Sequence, residues 1–262
     1  MFLCVPFEND TIWLECTSQQ IPFGYLGTFT DDRDVLLIDK DGGQIVHTKT
    51  YTEKDNRQIS VIDINLHSNG SAYAKVNNNY IGQFYDKNVR ILRSDDTDKK
   101  KLMYQKIDIP SFEILNYNHE EIKTIIPIIK ENIQLNISNY GTLLGNRMLV
   151  NLNLMNKIKA IPKNVEGRKS DILIRRAFVE IDTLYYSIPE EFSIEQLPQN
   201  VEINSEFGEY QAKIQSNDKV VEYIRIFKMN KGLYSRDVYK EFVEFFEKMN
   251  YADNIKLVLV KN

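Results

Sequence analysis

Short segments in which apolar and polar residues alternate recur along most of the chain, and a period of two is typical of β-strands with one buried face. The clearest lies at 148–154, where every second residue is apolar and Asn151 and Asn153 occupy the opposite, water-facing side. This pattern predicts a mainly β protein built from antiparallel sheets. Strands are predicted at 1–7, 11–16, 35–38, 44–48, 58–66, 71–76, 133–137, 148–154, 172–186, 201–204, 209–214, 220–229 and 255–260.

Turn residues separate these segments at three informative places. Asn69 and Gly70 lie between two strand-like segments and form the strongest short hairpin signal in the chain. The glycine pair at 42–43 predicts a second hairpin turn, because glycine adopts positive φ at low cost. The polar residues 8–10 predict a tight turn between the first two strands.

Two segments depart from the alternation and predict helices. A helix is predicted from Ser94, which can cap it, to about Ile107. Three aspartates at 95–98 fall in its first turn, where negative charge complements the helix dipole. Ser235 can cap a second helix, in which apolar residues recur at helical spacing. The apolar stripe of this helix, interpreted as a face that packs on a sheet, consists of Val238, Tyr239, Phe242, Phe245, Phe246 and Met249.

Composition sets limits on function. The chain has 262 residues, of which 42% are hydrophobic, so it is long enough to bury a large core. Interspersed basic and acidic residues give a formal net charge of −4, which provides no broad attraction to nucleic acid or to an anionic membrane. No apolar run approaches the roughly 18 residues that span a bilayer. We therefore expect neither a nucleic-acid partner nor a membrane span.

Basic and aromatic residues also alternate within two predicted strands, at 175–178 and 223–227. Such alternation resembles a nucleic-acid platform only superficially, given the acidic total. We interpret both segments as strands with one charged face and one core face.

Side chains with reactive or metal-binding groups are few. The cysteines are Cys4 and Cys16, and the histidines His47, His67 and His119 are scattered, so none begins a metal motif. No glycine-rich phosphate loop and no Gly-x-Ser-x-Gly elbow is present. The sequence therefore predicts no metal and no cofactor.

One segment resembles a known family. Residues 12–19, IWLECTSQ, and the loop at 22–27, PFGYLG, are similar to the end of the catalytic core in bacterial transglutaminase-like proteins. In that superfamily, a strand carrying Trp-x-Asp, with Thr shortly after, supplies the acidic member of a Cys-His-Asp triad. Here Trp13 and Thr17 match, and Glu15 stands at the Asp position. The resemblance implies that Glu15 is a vestigial acidic triad member.

The resemblance covers nearly the whole chain and extends to the β-rich C-terminal region of these multidomain proteins. The similar stretches, in order, include 29–33, 34–38, 42–43, 50–51, 55–56, 197–198, 207–210, 232–234 and 239–242. It implies a bacterial protein exported to the periplasm or cell surface, in a family whose biochemical role is largely undefined.

The chain order of the superfamily triad bears on catalysis. Cysteine and histidine precede the acidic residue there, but only Cys4, on a predicted strand, and no histidine precede Glu15. Cys16 is adjacent to Glu15, yet a neighbouring carboxylate raises a thiol pKa, and adjacent strand residues face opposite ways. We therefore expect that this chain is not an enzyme by itself. A self-sufficient cysteine hydrolase is the least favoured hypothesis.

The predicted architecture is one or more antiparallel β-sandwiches with two helices, preceded by the terminal strands of a truncated transglutaminase-like core. Residues 1–34 are expected to be the core remnant, and 35–262 the sandwich region, either undivided or divided near residue 160. The favoured function is a non-catalytic accessory region whose partner is an upstream transglutaminase-like core, of peptidase or acyl-transferase type, or another protein. The alternative is an independent glycan- or protein-binding module. In either case we expect exposed edges and apolar surface on the N-terminal strand pair.

Overall fold

The structure is a computed structural model that describes residues 2–7, 11–17, 20–163, 165 and 167–262. These residues are mainly in strands, which confirms the predicted class. The strands are β1 (Phe2–Pro6), β2 (Thr11–Glu15), β3 (Asp34–Asp39), β4 (Gly42–His47), β5 (Arg57–Leu66), β6 (Ala72–Ile81), β7 (Phe112–Ile122), β8 (Ile128–Ile137), β9 (Gly141–Leu144), β10 (Arg147–Asn151), β11 (Ile172–Ile174), β12 (Phe178–Ser187), β13 (Phe192–Gln196), β14 (Val201–Ser205), β15 (Gly208–Asn217), β16 (Val220–Met229), β17 (Gly232–Tyr234) and β18 (Lys256–Lys261). The α-helices are α1 (Gly27–Thr30), α2 (Gln83–Arg93), α3 (Asp96–Lys106) and α4 (Tyr239–Asp253).

An eight-stranded sheet organises the chain, in the order β14-β15-β16-β12-β5-β6-β8-β7. All neighbours in it are antiparallel except β5 and β12, which pair in parallel from Arg57 beside Val179 to Asn65 beside Ser187. A parallel pair needs a crossover, and here the chain between the two strands forms three other strands of this sheet together with α2 and α3. Residues on both sides of position 160 thus contribute to one sheet.

A second sheet, in the order β13-β18-β10-β9, packs on the same hydrophobic core. Met148 and Val150 of β10 lie in this core with Leu257 and Leu259 of β18. The arrangement of two packed, mostly antiparallel sheets agrees with the predicted sandwich-rich fold. Asn153, expected to face water, is instead 1% exposed, because its amide donates to the buried Asp253 carboxylate at 2.7 Å.

The structure has four α-helices in its described residues, whereas the alternation of residues predicted two. Both predicted helices are present. The cap of α3 is Asp95 rather than Ser94, with the Asp98 amide donating to the Asp95 carboxylate at 2.9 Å. Ser235 caps a short 3-10 turn that leads into α4, and the predicted apolar stripe of α4 packs on the core. The prediction omitted α1 and α2.

The local predictions vary in accuracy. Asn69-Gly70 joins β5 to β6 as predicted, but the second hairpin turns at 40–41, so the glycines at 42–43 belong to β4. The single strand predicted at 172–186 is two strands, β11 and β12, in different sheets. Strands β7, β9, β13 and β17 were not predicted. The predicted turn at 8–10 lies outside the described residues, as do positions 18–19 of the family-like segment.

Two separate hydrophobic clusters line the core face of the large sheet. The larger contains the second sheet and α4, and includes Ile62, Leu135 and Tyr186. The smaller surrounds Trp13 and includes residues of α2, such as Phe84. The N-terminal hairpin β1–β2 therefore packs on the rest of the chain through Trp13, which is 8% exposed.

Candidate functional site

Glu15 ends β2 and is partly buried. Its Oε1 atom accepts hydrogen bonds from the Thr17 amide at 2.8 Å and from the Thr17 hydroxyl at 2.5 Å. Its Oε2 atom has a longer contact, 3.4 Å, with the hydroxyl of Thr30 in α1. Burial raises the pKa of Glu15, but the hydrogen bonds from Thr17 and Thr30 outweigh it, so the pKa lies below its ordinary value. Glu15 is therefore a carboxylate at neutral pH, with acceptor capacity left on Oε2.

In the described part of the chain, no cysteine or histidine is hydrogen-bonded to Glu15. The thiol of Cys16 is exposed and donates to the Leu14 carbonyl at 3.4 Å, whereas Cys4 is partly buried on β1. His47 bonds to Asp32 and Asp34, and His67 bonds to Ser71. The remaining histidine, His119, bonds to Glu131 of the large sheet. A nucleophilic cysteine needs a base within hydrogen-bond reach, and none of these contacts supplies that pair.

Exposed apolar side chains concentrate near Glu15, in the hairpins β1–β2 and β3–β4 and the segment that joins them. We name this surface the N-terminal apolar face and define it by Leu3, Val5, Phe7, Phe23, Phe29, Leu36, Ile38 and Ile45, all at least 36% exposed. Leu36 and Ile45 are paired across the second hairpin and are 61% and 69% exposed. Each hairpin is a two-stranded sheet, so its outer strand edges are open.

A row of buried polar residues crosses the large sheet on its core face, one from each of six adjacent strands. The members, which are successive backbone partners, are Arg225, Asp182, Ser60, Asn78, Glu131 and His119. Every side chain in this buried polar row is 5% exposed or less. On β6 and β8 the row lies between the two clusters, with Val76 and Ile133 of the larger cluster on one side and Tyr80 and Ile129 of the smaller on the other.

Glu131 holds one half of the row together. Its carboxylate accepts hydrogen bonds from Asn78 at 2.8 Å, Tyr80 at 2.7 Å and His119 at 2.9 Å, and it pairs with Lys106 of α3 at 3.0 Å. Burial raises the pKa of Glu131, but these donors and the Lys106 charge have a larger, opposite effect, so the pKa is lowered to about 2. The carboxylate is thus fixed in its charged form.

Arg225 holds the other half and is surrounded by three carboxylates. It donates to Asp253 at 3.0 Å, to Asp182 at 2.8 Å and to Glu180 at 3.0 Å. One buried cation does not neutralise three carboxylates. Burial raises the pKa of Glu180, and Asp182 adds to the effect, while Arg225 opposes it. Glu180 therefore holds a proton more readily than an ordinary glutamate.

A cleft of about 510 Å³ lies beside the row, between the sheet and the helices α2 and α3, and its lining includes Glu180, the partner of Arg225, and Lys106, the partner of Glu131. We name it the α2–α3 cleft. Its floor includes Gln58 and Glu180, which are backbone partners on β5 and β12. Its walls are formed by Phe84, Lys87, Asn88, Arg90, Ile91, Leu102, Gln105 and Lys106.

The α2–α3 cleft mixes basic, amide and apolar groups. The Lys87 ammonium lies 4.7 Å from the centre of the Phe84 ring. Burial of this ammonium lowers the pKa of Lys87, and the nearby charge of Glu180 opposes the shift. Only Oε2 of Glu180 is engaged by Arg225, so Oε1 remains available on the cleft floor. Perturbed pKa values in a cleft mark candidate functional sites, although buried ion-pair networks share this property.

The alternation of apolar and polar residues did not lead to a prediction of the buried polar row, although the sequence contained a sign of it. Arg225 was assigned to a charged face, but it shares its face with Tyr223 and Phe227, two residues before and after it, and that face is buried. Asp182 has the same relation to the buried Leu184, and Glu131 to Ile129 and Ile133. A charged residue at a core position of a strand was the sign of the buried polar row.

Within the described ranges, no group of three or more histidine, cysteine or acidic side chains is arranged to hold a metal ion. No helix among those residues is long and apolar enough to cross a membrane.

A family model matches part of the chain. The profile of a family described as a Domain of Unknown Function with a solved structure (DUF3858) matches residues 146–259. This stretch contains Arg225 and Asp182 of the buried polar row, whereas Ser60, Asn78, Glu131 and His119 lie outside it. No curated protein and no solved structure matches the chain.

Proposed function

We propose that this chain is a non-catalytic β-rich region that supports a transglutaminase-like core lying upstream of it, or presents substrate to that core. The N-terminal apolar face carries this proposal. Exposed apolar patches on open-edged hairpins are typical of surfaces that another domain covers. The sequence resemblance assigns the first hairpin, β1–β2, to the end of the core, and on that basis we propose the core itself as the covering partner.

The geometry of Glu15 supports the same proposal. Its Oε1 atom is bonded to Thr17, which fixes the carboxylate, while Oε2 keeps the capacity to accept an imidazole N–H. The cysteine and histidine of any reaction would belong to the core, so this chain would carry no complete catalytic set of its own.

The first test is the coding sequence upstream of residue 1. We expect a cysteine at the start of a predicted helix, followed by a histidine on a strand shortly before this chain. Absence of that pair would overturn the assignment to a transglutaminase-like parent. In a thiol-reactivity assay of this chain alone, Cys16 should react no faster than a cysteine in a short peptide. A hydrolytic activity of the chain that is lost in Cys16→Ala would contradict the non-catalytic proposal.

The second test concerns the covering partner. In the longer protein, the double variant Ile38→Ser, Ile45→Ser should weaken attachment of this region to the core and increase protease cleavage between them. The double variant Leu143→Ser, Leu144→Ser is the matched control, because both leucines are exposed on β9, in the second sheet. Equal cleavage of the two double variants would show that the N-terminal apolar face is not the contact surface.

A second candidate function is binding of a polyhydroxy ligand, such as a glycan, in the α2–α3 cleft. The observation that favours it is a set of unused polar groups: in the described residues, the amides of Gln58 and Gln105 and the Glu180 Oε1 atom have no hydrogen-bond partner. Amide and carboxylate groups in a cleft of this size suit the hydroxyl groups of a sugar.

The α2–α3 cleft is tested by titration against a glycan array, followed by calorimetry with any sugar that binds. Gln58→Ala and Gln105→Ala should each weaken binding about fivefold, as expected for one lost hydrogen bond. Gln196→Ala, an exposed glutamine on β13, is the control and should bind as the parent does. Binding that survives both cleft variants would remove this candidate.

A further inference from the structure

A second cleft, of about 380 Å³, lies where three separate parts of the chain meet. The segment between α1 and β3 supplies Asp31, Asp32 and Arg33, and the connection between β11 and β12 supplies Arg175 and Arg176. Lys231, between β16 and β17, completes it. We name it the arginine cleft. It shares no lining residue with the α2–α3 cleft, and it adjoins the N-terminal apolar face at Phe29.

Two of the cations in the arginine cleft are neutralised within the protein. Arg176 grips the buried Asp31 with two donors, one at 2.9 Å, and also donates to the Thr28 carbonyl at 2.6 Å. Lys231 pairs with Asp32 at 2.7 Å. These contacts fix Arg176, Lys231 and both aspartates in place. The charges of Arg176 and Lys231 are thus paired within the protein, and these two residues hold the shape of the site.

The other two cations have no carboxylate partner in the described residues. The Arg33 side chain makes one hydrogen bond to the described residues, from its Nε atom to the Asp31 carbonyl at 3.3 Å, and its guanidinium carbon lies 6.0 Å from the centre of the Phe29 ring. Arg175 is exposed and makes no hydrogen bond or ion pair with the part of the chain that the structure describes. Two unpaired guanidinium groups therefore face one concavity. Their planar forks match the two oxygens of a carboxylate or a sulfate.

Asp32 adds a carboxylate in which one of the two oxygen atoms can accept a hydrogen bond from a ligand. Three donors converge on its Oδ1 atom: Lys231 at 2.7 Å, Thr50 at 2.8 Å and His47 at 3.2 Å. Its Oδ2 atom receives none of these bonds. The pKa of Asp32 is lowered to about 2, because these donors outweigh its partial burial. An ionised oxygen on the cleft wall suits a ligand that carries hydroxyl groups as well as an anionic group.

We propose that the arginine cleft binds an acidic sugar unit, whose carboxylate or sulfate contacts Arg33 and Arg175 and whose hydroxyl donates to Asp32 Oδ2. A cleft of 380 Å³ is of the size that small-ligand sites have, and Leu173 gives it an apolar side. An acidic peptide side chain would satisfy the arginines but would leave Asp32 facing a second carboxylate. The inference goes beyond the proposed accessory function and does not depend on it.

The test is calorimetry on the whole chain with glucuronate, glucose 6-sulfate, glucose, inorganic phosphate and a polyglutamate peptide as separate probes. Glucuronate or glucose 6-sulfate should bind at least about tenfold more tightly than glucose, since one charge-assisted contact is worth about that factor. The stronger of the two identifies the anionic group. Equal affinity for glucose, or binding of polyglutamate without either acidic sugar, would overturn the proposal.

Variants locate the binding. Arg175→Gln should weaken binding of the acidic sugar about tenfold, whereas Lys213→Gln, the same charge change on the exposed face of β15, should leave it unaltered. Asp32→Asn should weaken acidic-sugar binding but not phosphate binding, because only the sugar uses Oδ2. Thermal unfolding of each variant verifies folding. Equal losses in Arg175→Gln and Lys213→Gln would indicate a general charge effect and would refute the site.

Discussion

Arg225 and Asp182 are backbone partners on neighbouring strands, and the Arg225 Nη1 atom lies 2.8 Å from Asp182 Oδ2 with both side chains buried. The same guanidinium contacts Glu180 and Asp253. One guanidinium therefore ties Asp253, at the end of α4, to the paired strands β12 and β16 through charge-assisted hydrogen bonds. This dependence leads to the first prediction.

Arg225→Met should destabilise the protein by about 3 to 5 kcal/mol, because it leaves buried carboxylates without their cation. Urea unfolding measures the change in the free energy of unfolding. Lys228→Met, on the same strand with a partly exposed side chain, should change it by less than about 1 kcal/mol. A small effect of Arg225→Met would mean that protonation of Glu180 relieves the excess charge.

Glu131 predicts a loss of stability in acid. Its pKa is about 2 when folded and 4.5 in its ordinary state, so the unfolded chain binds the proton more readily. The contribution is fully present above about pH 4.5 and is lost as the pH falls towards 2. Its size is on the order of 3 kcal/mol.

The measurement is the free energy of unfolding between pH 6 and pH 2.5, for the parent and for Glu131→Gln. The variant should be less stable at pH 6 and should show a shallower decline in acid. Glu113→Gln, an exposed glutamate of β7, should follow the parent curve. Parallel curves for the parent and Glu131→Gln would contradict the linkage.

Thr17 controls the ionisation of Glu15. Thr17→Val removes the hydroxyl donor while leaving the backbone donor, so the pKa of Glu15 should rise towards or above its ordinary value, because burial continues to raise it. Titration of the Glu15 carboxyl by NMR measures the change. Thr142→Val, at an exposed position of β9, is the control. An unchanged Glu15 pKa in Thr17→Val would assign the lowering to other groups.

Gly82 and Gly145 form a matched pair for backbone strain, since both have φ of +61°. A Cβ atom at Gly82 would lie 2.3 Å from the Asp55 carbonyl oxygen, whereas one at Gly145 would meet nothing within 4 Å. Gly145→Ala should cost about 1 kcal/mol, and Gly82→Ala should cost clearly more, about 3 kcal/mol. Equal losses in denaturant unfolding would show that the start of α2 adjusts freely.

The sequence predicted those parts of the fold that depend on local chemistry. The Asn69-Gly70 hairpin, the long strand β16 and the apolar face of α4 follow from turn preference and periodicity, which neighbouring residues determine. The helix α2 was missed although Phe84, Asn88 and Ile91 bury one face at helical spacing, so periodicity did contain its signal. The residue before the helix, Gly82, has a positive φ that is fitted to the distant Asp55, and local sequence does not show this contact.

The candidate sites were harder to predict, because tertiary contacts create them. Arg33 and Arg175 are 142 positions apart, and nothing in either local segment shows that they share a cleft. Glu131 and Arg225 resemble ordinary surface charges until the strand is known to be buried. Glu15 was identified only by resemblance, and its role as an acidic triad member stays a prediction.

The parallel pairing of β5 with β12 also affects how the chain reaches its folded state. During synthesis, β5 to β8 emerge long before β12, which lies more than 100 residues after β5. A four-stranded sheet formed early would present β5 as an unprotected edge, with the apolar side chains of Ile62 and Ile64 uncovered. Because closure of so distant a pair is slow, this edge stays open to incorrect strand pairing until β12 arrives.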